Sequence, residues 1–292
     1  MSSRVAVVTD STSYLPPGVA RQLGIAVVPV QVIVGGAAYD ETEDLQAQRV
    51  ADALADWQTV TTSRPTPERF LQAYAQAIDE GAEEIVVATL SSSMSATYES
   101  ALLAAREFEH PVRVVDSRSI AMGLGFGVIT GARMAATGAG AGEIADAVAE
   151  RCRRAAVYFY VDTLEYLRRG GRISSARAAV GQALQVKPIL TIEDGSVVRL
   201  EQVRTAGRAL ARMEELAVAS AEVDGPFLAI AVQHLAAPER AAQLADRLRG
   251  RLPGVEIVEA AVGGVVGAHV GPGMVAVVVS PDPQEPADGA SP

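Results

Sequence analysis

The sequence predicts a two-domain α/β protein, with an N-terminal, mostly parallel sheet flanked by helices and a C-terminal α+β domain. Three observations predict it. Short β-branched runs alternate with helix-period segments from the start, as parallel strands joined by crossover helices do. The stretch Gly138-Ala139-Gly140-Ala141-Gly142 breaks that alternation, and beyond it six strand signals frame four helical ones. A chain of 292 residues, 49% hydrophobic, can also fill two cores. The domains are expected over 1–154 and 155–280, with 281–292, rich in Pro, Asp and Ala, as a disordered tail.

In the first half, strands are expected at Val5 to Val8, Ile25 to Val34, Ile85 to Thr89 and Val112 to Val115. Helices are expected at Pro16 to Leu23, Leu45 to Trp57, Pro67 to Glu80, Thr97 to Glu107, Gly123 to Ala136 and Glu143 to Arg154. Thr66-Pro67-Glu68 is a helix start: a hydroxyl N-cap, a proline whose missing N–H costs nothing there, and an acid beside the dipole. Phe70, Leu71, Tyr74 and Ile78 then share a face, a core stripe that a lipid cavity could equally use.

In the second half, strands are expected at Val157 to Val161, Pro188 to Ile192, Val197 to Val203, Phe227 to Val232, Glu256 to Ala260 and Met274 to Val279. Helices are expected at Thr163 to Arg169, Ser175 to Gln185, Ala206 to Ser220 and Pro238 to Arg249. Glu193-Asp194-Gly195 is a hairpin turn, with Asp194 or Gly195 at positive φ.

Charge excludes one class of partner. A formal charge of -10 leaves no basic face to displace counterions from phosphates, so no nucleic acid is expected. Cys152 is the one cysteine, so the chain has no disulfide framework of its own, and the thiol reads as a small buried apolar group. The run Val5-Ala6-Val7-Val8 is too short for a signal-peptide core, and no apolar stretch approaches a membrane span. A cytoplasmic protein with at most transient membrane contact is expected.

In open α/β sheets ligands gather at the carboxyl ends of strands. Hydroxyls crowd such positions here: Thr9-Asp10-Ser11-Thr12-Ser13 after the first strand, Thr61-Thr62-Ser63-Arg64-Pro65 before a helix, and Ser91 to Thr97 after the third strand. Hydroxyls at a helix start can cap it or can meet a carboxylate together with backbone N–H groups. Gly170-Gly171-Arg172 ends a helix; the arginines there are either solvated or, through Arg172, grip an oxyanion. His269 stands in a loop among five glycines, from Gly263 to Gly273, where close backbone approach and an imidazole coincide. Several chemistries lack their signatures: no phosphate-binding Gly-x-x-x-x-Gly-Lys loop, no Gly-x-Ser-x-Gly elbow and no persuasive zinc set occurs. No metal and no cofactor is expected.

Taken in order, Thr9-Asp10-Ser11-Thr12, Thr62-Ser63-Arg64-Pro65, Leu90 to Tyr98, Asp116-Ser117, Gly170-Gly171-Arg172-Ile173, Lys187-Pro188-Ile189-Leu190, Val203-Arg204-Thr205 and His269-Val270-Gly271-Pro272-Gly273 resemble the DegV family. The resemblance spans about Val5 to Val279. It implies a two-domain protein that buries one long-chain fatty acid and presents the carboxylate to a separate fatty acid kinase. That kinase brings ATP and makes an acyl phosphate for phospholipid synthesis, so the chain is not catalytic alone.

Carried over by motif, the resemblance implies that Thr62, Ser95, Arg172 and His269 hold the carboxylate. Ser63, Arg64, Ser93, Ala96 and Thr97 are implied near the site, and Arg204 on a kinase-facing surface. Arg64 stands where the family usually has glutamine, and Ala96 where it usually has glycine. The first adds a cation near the carboxylate and the second a methyl to a tight loop. The alternative function is a serine-dependent acyl hydrolase or acyltransferase, with Ser95 as nucleophile and His269 as base.

Overall fold

A computed structural model describes residues 4–41, 47–56, 58–173, 186–224 and 228–282. The expected helix over Ser175 to Gln185 lies outside these residues. So do Leu45, Trp57, Phe227 and the expected tail beyond its first two residues.

The first half is built on strands β1 (Val5–Asp10), β2 (Ala26–Val28), β6 (Glu84–Thr89) and β7 (Val112–Asp116), all parallel in the order β2-β1-β6-β7. Both faces of this sheet are covered, which is why its strands read as continuous apolar runs. Helices α3 (Pro67–Asp79) and α4 (Thr97–Glu107) cover the face carrying Val8, Ile85 and Val87. Helices α5 (Met122–Ala136) and α6 (Ala141–Arg154) cover the face carrying Val5, Val7 and Val86. The chain leaves β1 toward β2 and later returns to β6 on the other side, so a topological switch point lies between the carboxyl ends of β1 and β6.

The expected single strand over Ile25 to Val34 is instead two. Pro29 offers no N–H and interrupts the run. After it the chain enters a second, antiparallel sheet of β3 (Gln31–Val34), β4 (Ala37–Asp40) and β5 (Val60–Ser63), ordered β4-β3-β5. Strands β4 and β5 were not anticipated, and Thr62 and Ser63 therefore lie at a strand end rather than in a loop. Short helices α1 (Val19–Leu23) and α2 (Ala47–Ala55) complete this half.

The second half carries a six-stranded sheet of β8 (Ala156–Tyr160), β9 (Lys187–Glu193), β10 (Ser196–Val203), β11 (Leu228–His234), β12 (Glu256–Ala261) and β13 (Val275–Pro281). Its order is β10-β9-β8-β13-β11-β12, antiparallel except for the β11–β12 pair. Pro281 ends β13, so the sheet runs into the segment expected as tail. Asp194 (φ 48) and Gly195 (φ 78) both take the left-handed conformation between β9 and β10, as a two-residue hairpin turn requires.

Alternation divides this sheet. Tyr160, Ile230, Val275, Val277 and Val279 pack under helices Ala206–Asp224 and Pro238–Arg251. Val157, Phe159, Leu190, Ala276 and Val278 face the opposite way, toward α5 and the first half of the chain. Helix α7 (Glu165–Arg169) follows β8, and a helix Gly264–Val270 follows β12. The latter occupies the stretch read from sequence as a loop, so His269 is helical.

One local expectation needs correction, and two others hold. Thr66 occupies the N-cap of α3 with extended backbone but makes no side-chain cap bond; its hydroxyl instead engages Glu68 and lowers that carboxyl's pKa. Phe70 and Tyr74 are wholly buried between α3, α4 and the parallel sheet. Cys152 is buried, and desolvation pushes its thiol up to about 12.

Candidate functional site

A cavity lies between the switch point of the parallel sheet and the inner face of the six-stranded sheet. It offers about 110 Å³ to the centre of a water-sized sphere, several times the ~10–15 Å³ that one water needs. Leu90, Met94, Ile120 and Ala121 contribute from loops after β6 and β7. Val157, Phe159, Ile192, Val197 and Ala276 contribute from β8, β9, β10 and β13, and Val265, Val266 and Val270 from helix Gly264–Val270. The apolar part of the wall therefore combines inward-facing sheet positions with residues of the loops after β6 and β7 and of helix Gly264–Val270.

The polar wall is concentrated. Thr62, Ser63, Arg64, Ser95, Arg172 and His269 line the same cavity, and no carboxylate does among the described residues. Thr62 Oγ1 and His269 Nε2 are 3.0 Å apart. Ser95 Oγ lies 2.9 Å from Thr97 Oγ1 at the start of α4. Arg172 is held by its own neighbourhood: Nε donates to the Met94 carbonyl at 3.0 Å and Nη1 to the Gly170 carbonyl at 2.6 Å. A groove of about 410 Å³, lined by Gln58, Thr61, Tyr166 and Arg169, meets the cavity at Thr62, Arg172 and His269.

Electrostatics keep the imidazole neutral. Burial, and secondarily the Arg172 charge, bring the His269 pKa down to about 4. The polar wall therefore carries the two arginine charges and neutral hydrogen-bonding groups.

The serine loop divides its hydroxyls by task. Ser91 Oγ donates to the Gly195 carbonyl at 2.7 Å, tying the parallel sheet to the hairpin of the other sheet. The Asp116 carboxylate takes both the backbone N–H and the hydroxyl of Ser92. Ser93 is exposed and does not line the cavity, whereas Thr97 is buried behind Ser95, and Ala96 occupies the N-cap of α4 without a side-chain bond. Arg204 is exposed just beyond β10 and is not a cavity residue. Ser95 and His269 have different hydrogen-bond partners, so the pair required by a serine hydrolase is not assembled.

Sequence reasoning missed a buried support. Asp10, at the end of β1, accepts from the Thr12 backbone N–H at 2.9 Å and from the Leu90 N–H at 2.8 Å, joining the two loops at the switch point. Glu41 accepts from Ser11 Oγ at 2.7 Å, Tyr14 Oη at 3.0 Å and the Val265 N–H at 2.7 Å. Tyr14 Oη in turn accepts from the Val266 N–H at 3.1 Å. Burial raises the pKa of both carboxyls, and these hydrogen bonds oppose the rise. In the sequence Glu41 belongs to an acidic run, Asp40-Glu41-Thr42-Glu43-Asp44, which reads as solvated surface. No sequence signal singled out Glu41; in the fold a Cβ at Gly263 would collide with it and stand 2.7 Å from the Tyr14 ring.

Comparison with known proteins settles the family. A family model described as an uncharacterised protein of the DegV family matches residues 4–282. The chain belongs to the DegV family. A DegV domain-containing protein of Streptomyces coelicolor is 48% identical over 281 residues, covering 96% of this chain and 99% of the relative. A solved DegV family protein from Thermus thermophilus, whose structure concerns fatty acid binding, is 32% identical over 95% of this chain and 99% of its own, with a TM-score of 0.88. DegV of Bacillus subtilis, named as a fatty acid binding protein, is 30% identical over 96% of this chain and 100% of its own, with a TM-score of 0.87. The DegV fold thus extends along the chain. Among the described residues, no helix is long and apolar enough to cross a membrane, and no cluster of His, Cys, Asp and Glu could hold a metal ion.

Proposed function

We propose that this DegV family chain binds one long-chain fatty acid in the cavity, acyl chain against the sheet and carboxylate against Thr62, Ser95, Arg172 and His269. The supporting observation is the cavity itself: an apolar wall joined to hydroxyls and arginine, with no lining carboxylate among the described residues. Each buried methylene is worth about 0.8 kcal/mol, so a chain of ~14 methylenes supplies on the order of 11 kcal/mol before association costs. The apolar wall sets affinity, and the head group sets orientation.

The protein serves as a carrier in the cytoplasm and not as a catalyst. It presents the carboxylate to a separate fatty acid kinase, which brings ATP and forms the acyl phosphate used in phospholipid synthesis. The groove that meets the cavity at Thr62, Arg172 and His269 supports this reading, because it gives a second reagent a way to the head group. Ser63 and Arg64 line the cavity near that end, and we assign the exposed Arg204 to the surface that meets the kinase. The two halves, 1–154 and 155–280, act as domains that close over the acyl chain.

Reconstitution with a fatty acid kinase and ATP tests the carrier role. Acyl phosphate should form only when both proteins are present, and Arg204→Ala should lower turnover more than fatty acid binding. Acyl ester hydrolysis by the chain alone, abolished by Ser95→Ala, would instead establish a hydrolase.

A further inference from the structure

We propose that Gly170 is a positioning residue: by packing against the His269 ring it places the imidazole proton on Nε2, which donates to Thr62 Oγ1 and so leaves the Thr62 hydroxyl proton for an oxygen acceptor in the cavity. This inference rests on the fatty acid reading of the site and adds a direction to its hydrogen bonds.

The adjacent glycines Gly170 and Gly171 end α7 for different reasons. Gly171 has φ +70 and open space around it, so its backbone conformation is what calls for glycine. Gly170 has φ -71 and ψ -11, which any residue adopts. A Cβ there would nevertheless collide with His269 Nδ1, stand 3.0 Å from Cε1 and 3.2 Å from the Tyr166 carbonyl oxygen. The missing side chain at Gly170 is the space the imidazole fills.

That packing decides the tautomer. Nδ1 is sealed from solvent and has no hydrogen-bond partner among the described residues. A proton on it would be a buried orphan donor, whereas a bare nitrogen there is an unused acceptor, the better tolerated of the two. Nε2 has a partner in Thr62 Oγ1 at 3.0 Å. With the proton on Nε2, Thr62 accepts, and its own O–H is free for a ligand oxygen. With the proton on Nδ1, Thr62 would spend its only proton on Nε2 and could offer the ligand no donor.

The test combines a spectrum with a mutant cycle. In ligand-free protein carrying ¹⁵N-labelled histidine, the His269 Nδ1 resonance should be that of a bare nitrogen and Nε2 that of a protonated one; the reverse assignment overturns the inference. Palmitate affinity should fall about tenfold in Gly170→Ala and in Thr62→Val, with little further loss in the double variant. His269→Gln, which keeps a donor near the Nε2 position, should retain more affinity than His269→Phe. Wild-type affinity in Gly170→Ala, or additive losses, would contradict the positioning role. If Gly170→Ala does not fold, the wild-type spectrum and the two His269 variants decide. If wild-type protein fails to bind palmitate, the ligand reading falls, while the ligand-free spectrum still judges the tautomer.

Discussion

The Glu41 carboxylate accepts a 2.7 Å hydrogen bond from the Val265 backbone N–H, so a residue just past β4 anchors the helix that carries His269. Glu41 is only 6% exposed. Its replacement by alanine leaves the Val265 N–H and the Ser11 and Tyr14 hydroxyls without their acceptor. Glu41→Ala should therefore destabilise the fold by about 3 kcal/mol and weaken ligand binding, read by denaturant unfolding and by titration with a fluorescent fatty acid. Unchanged stability would mean that this network does not support the site.

The same carboxyl predicts a pH dependence. Its folded pKa is raised, so the folded protein holds the proton more tightly than the unfolded chain does. That stabilising linkage is complete below about pH 4.3 and is lost as pH rises through the folded value. Glu41→Gln should remove it, so the stability of the variant relative to wild type should rise between about pH 4 and neutrality. Parallel stability profiles across that range would contradict the raised pKa.

Ala276 faces the cavity from β13, between Val275 and Val277, which face the helices. A phenylalanine at 276 should occupy space claimed by two or three methylenes. At about 0.8 kcal/mol each, that costs about 2 kcal/mol, or about thirtyfold in affinity for a long acid, with a smaller loss for a shorter one. Equal losses for both lengths would indicate general unfolding.

Thr62→Ala and Ser95→Ala remove the two neutral hydroxyls at the polar end. Each should weaken carboxylate retention by about 1 kcal/mol, and the double variant should also slow kinase-dependent phosphorylation. Normal binding and normal phosphorylation in the double variant would move the head group elsewhere.

His269 keeps its imidazole neutral because its pKa is brought down to about 4. For a base, a lowered folded pKa means stability that is present above the unfolded value, about 6.5, and lost as pH falls through the folded one. Ligand affinity should consequently show no His269 step between about pH 6 and 8. An affinity transition near pH 6.5 that disappears in His269→Gln would contradict this.

The parallel sheet was legible because its strands are buried on both faces: Val5 to Val8 and Ile85 to Thr89 are apolar runs of strand length, bounded by polar turns. The break at Pro29 was less legible, because Ile25 to Val34 is apolar on both sides of it and only tertiary pairing sends the halves into different sheets. Helix Gly264–Val270 was hidden by its own composition. Two of its residues are glycines and three are valines, all poor helix formers, yet its packing against α2 and its bonds to Glu41 and Tyr14 hold it. Thr62, Ser95, Arg172 and His269 could be nominated from motifs. Their assembly at one site was implied by the family resemblance alone and by nothing in local pattern, because it depends on pairings as distant as Thr62 with His269, 207 residues apart.

Native mass spectrometry of the protein purified from cells, followed by lipid extraction, tests the central claim most directly. One long-chain fatty acid per chain, exchangeable for added palmitate and displaced by Ala276→Phe, is the predicted result. Protein that carries no acyl chain and takes up none on addition would contradict it.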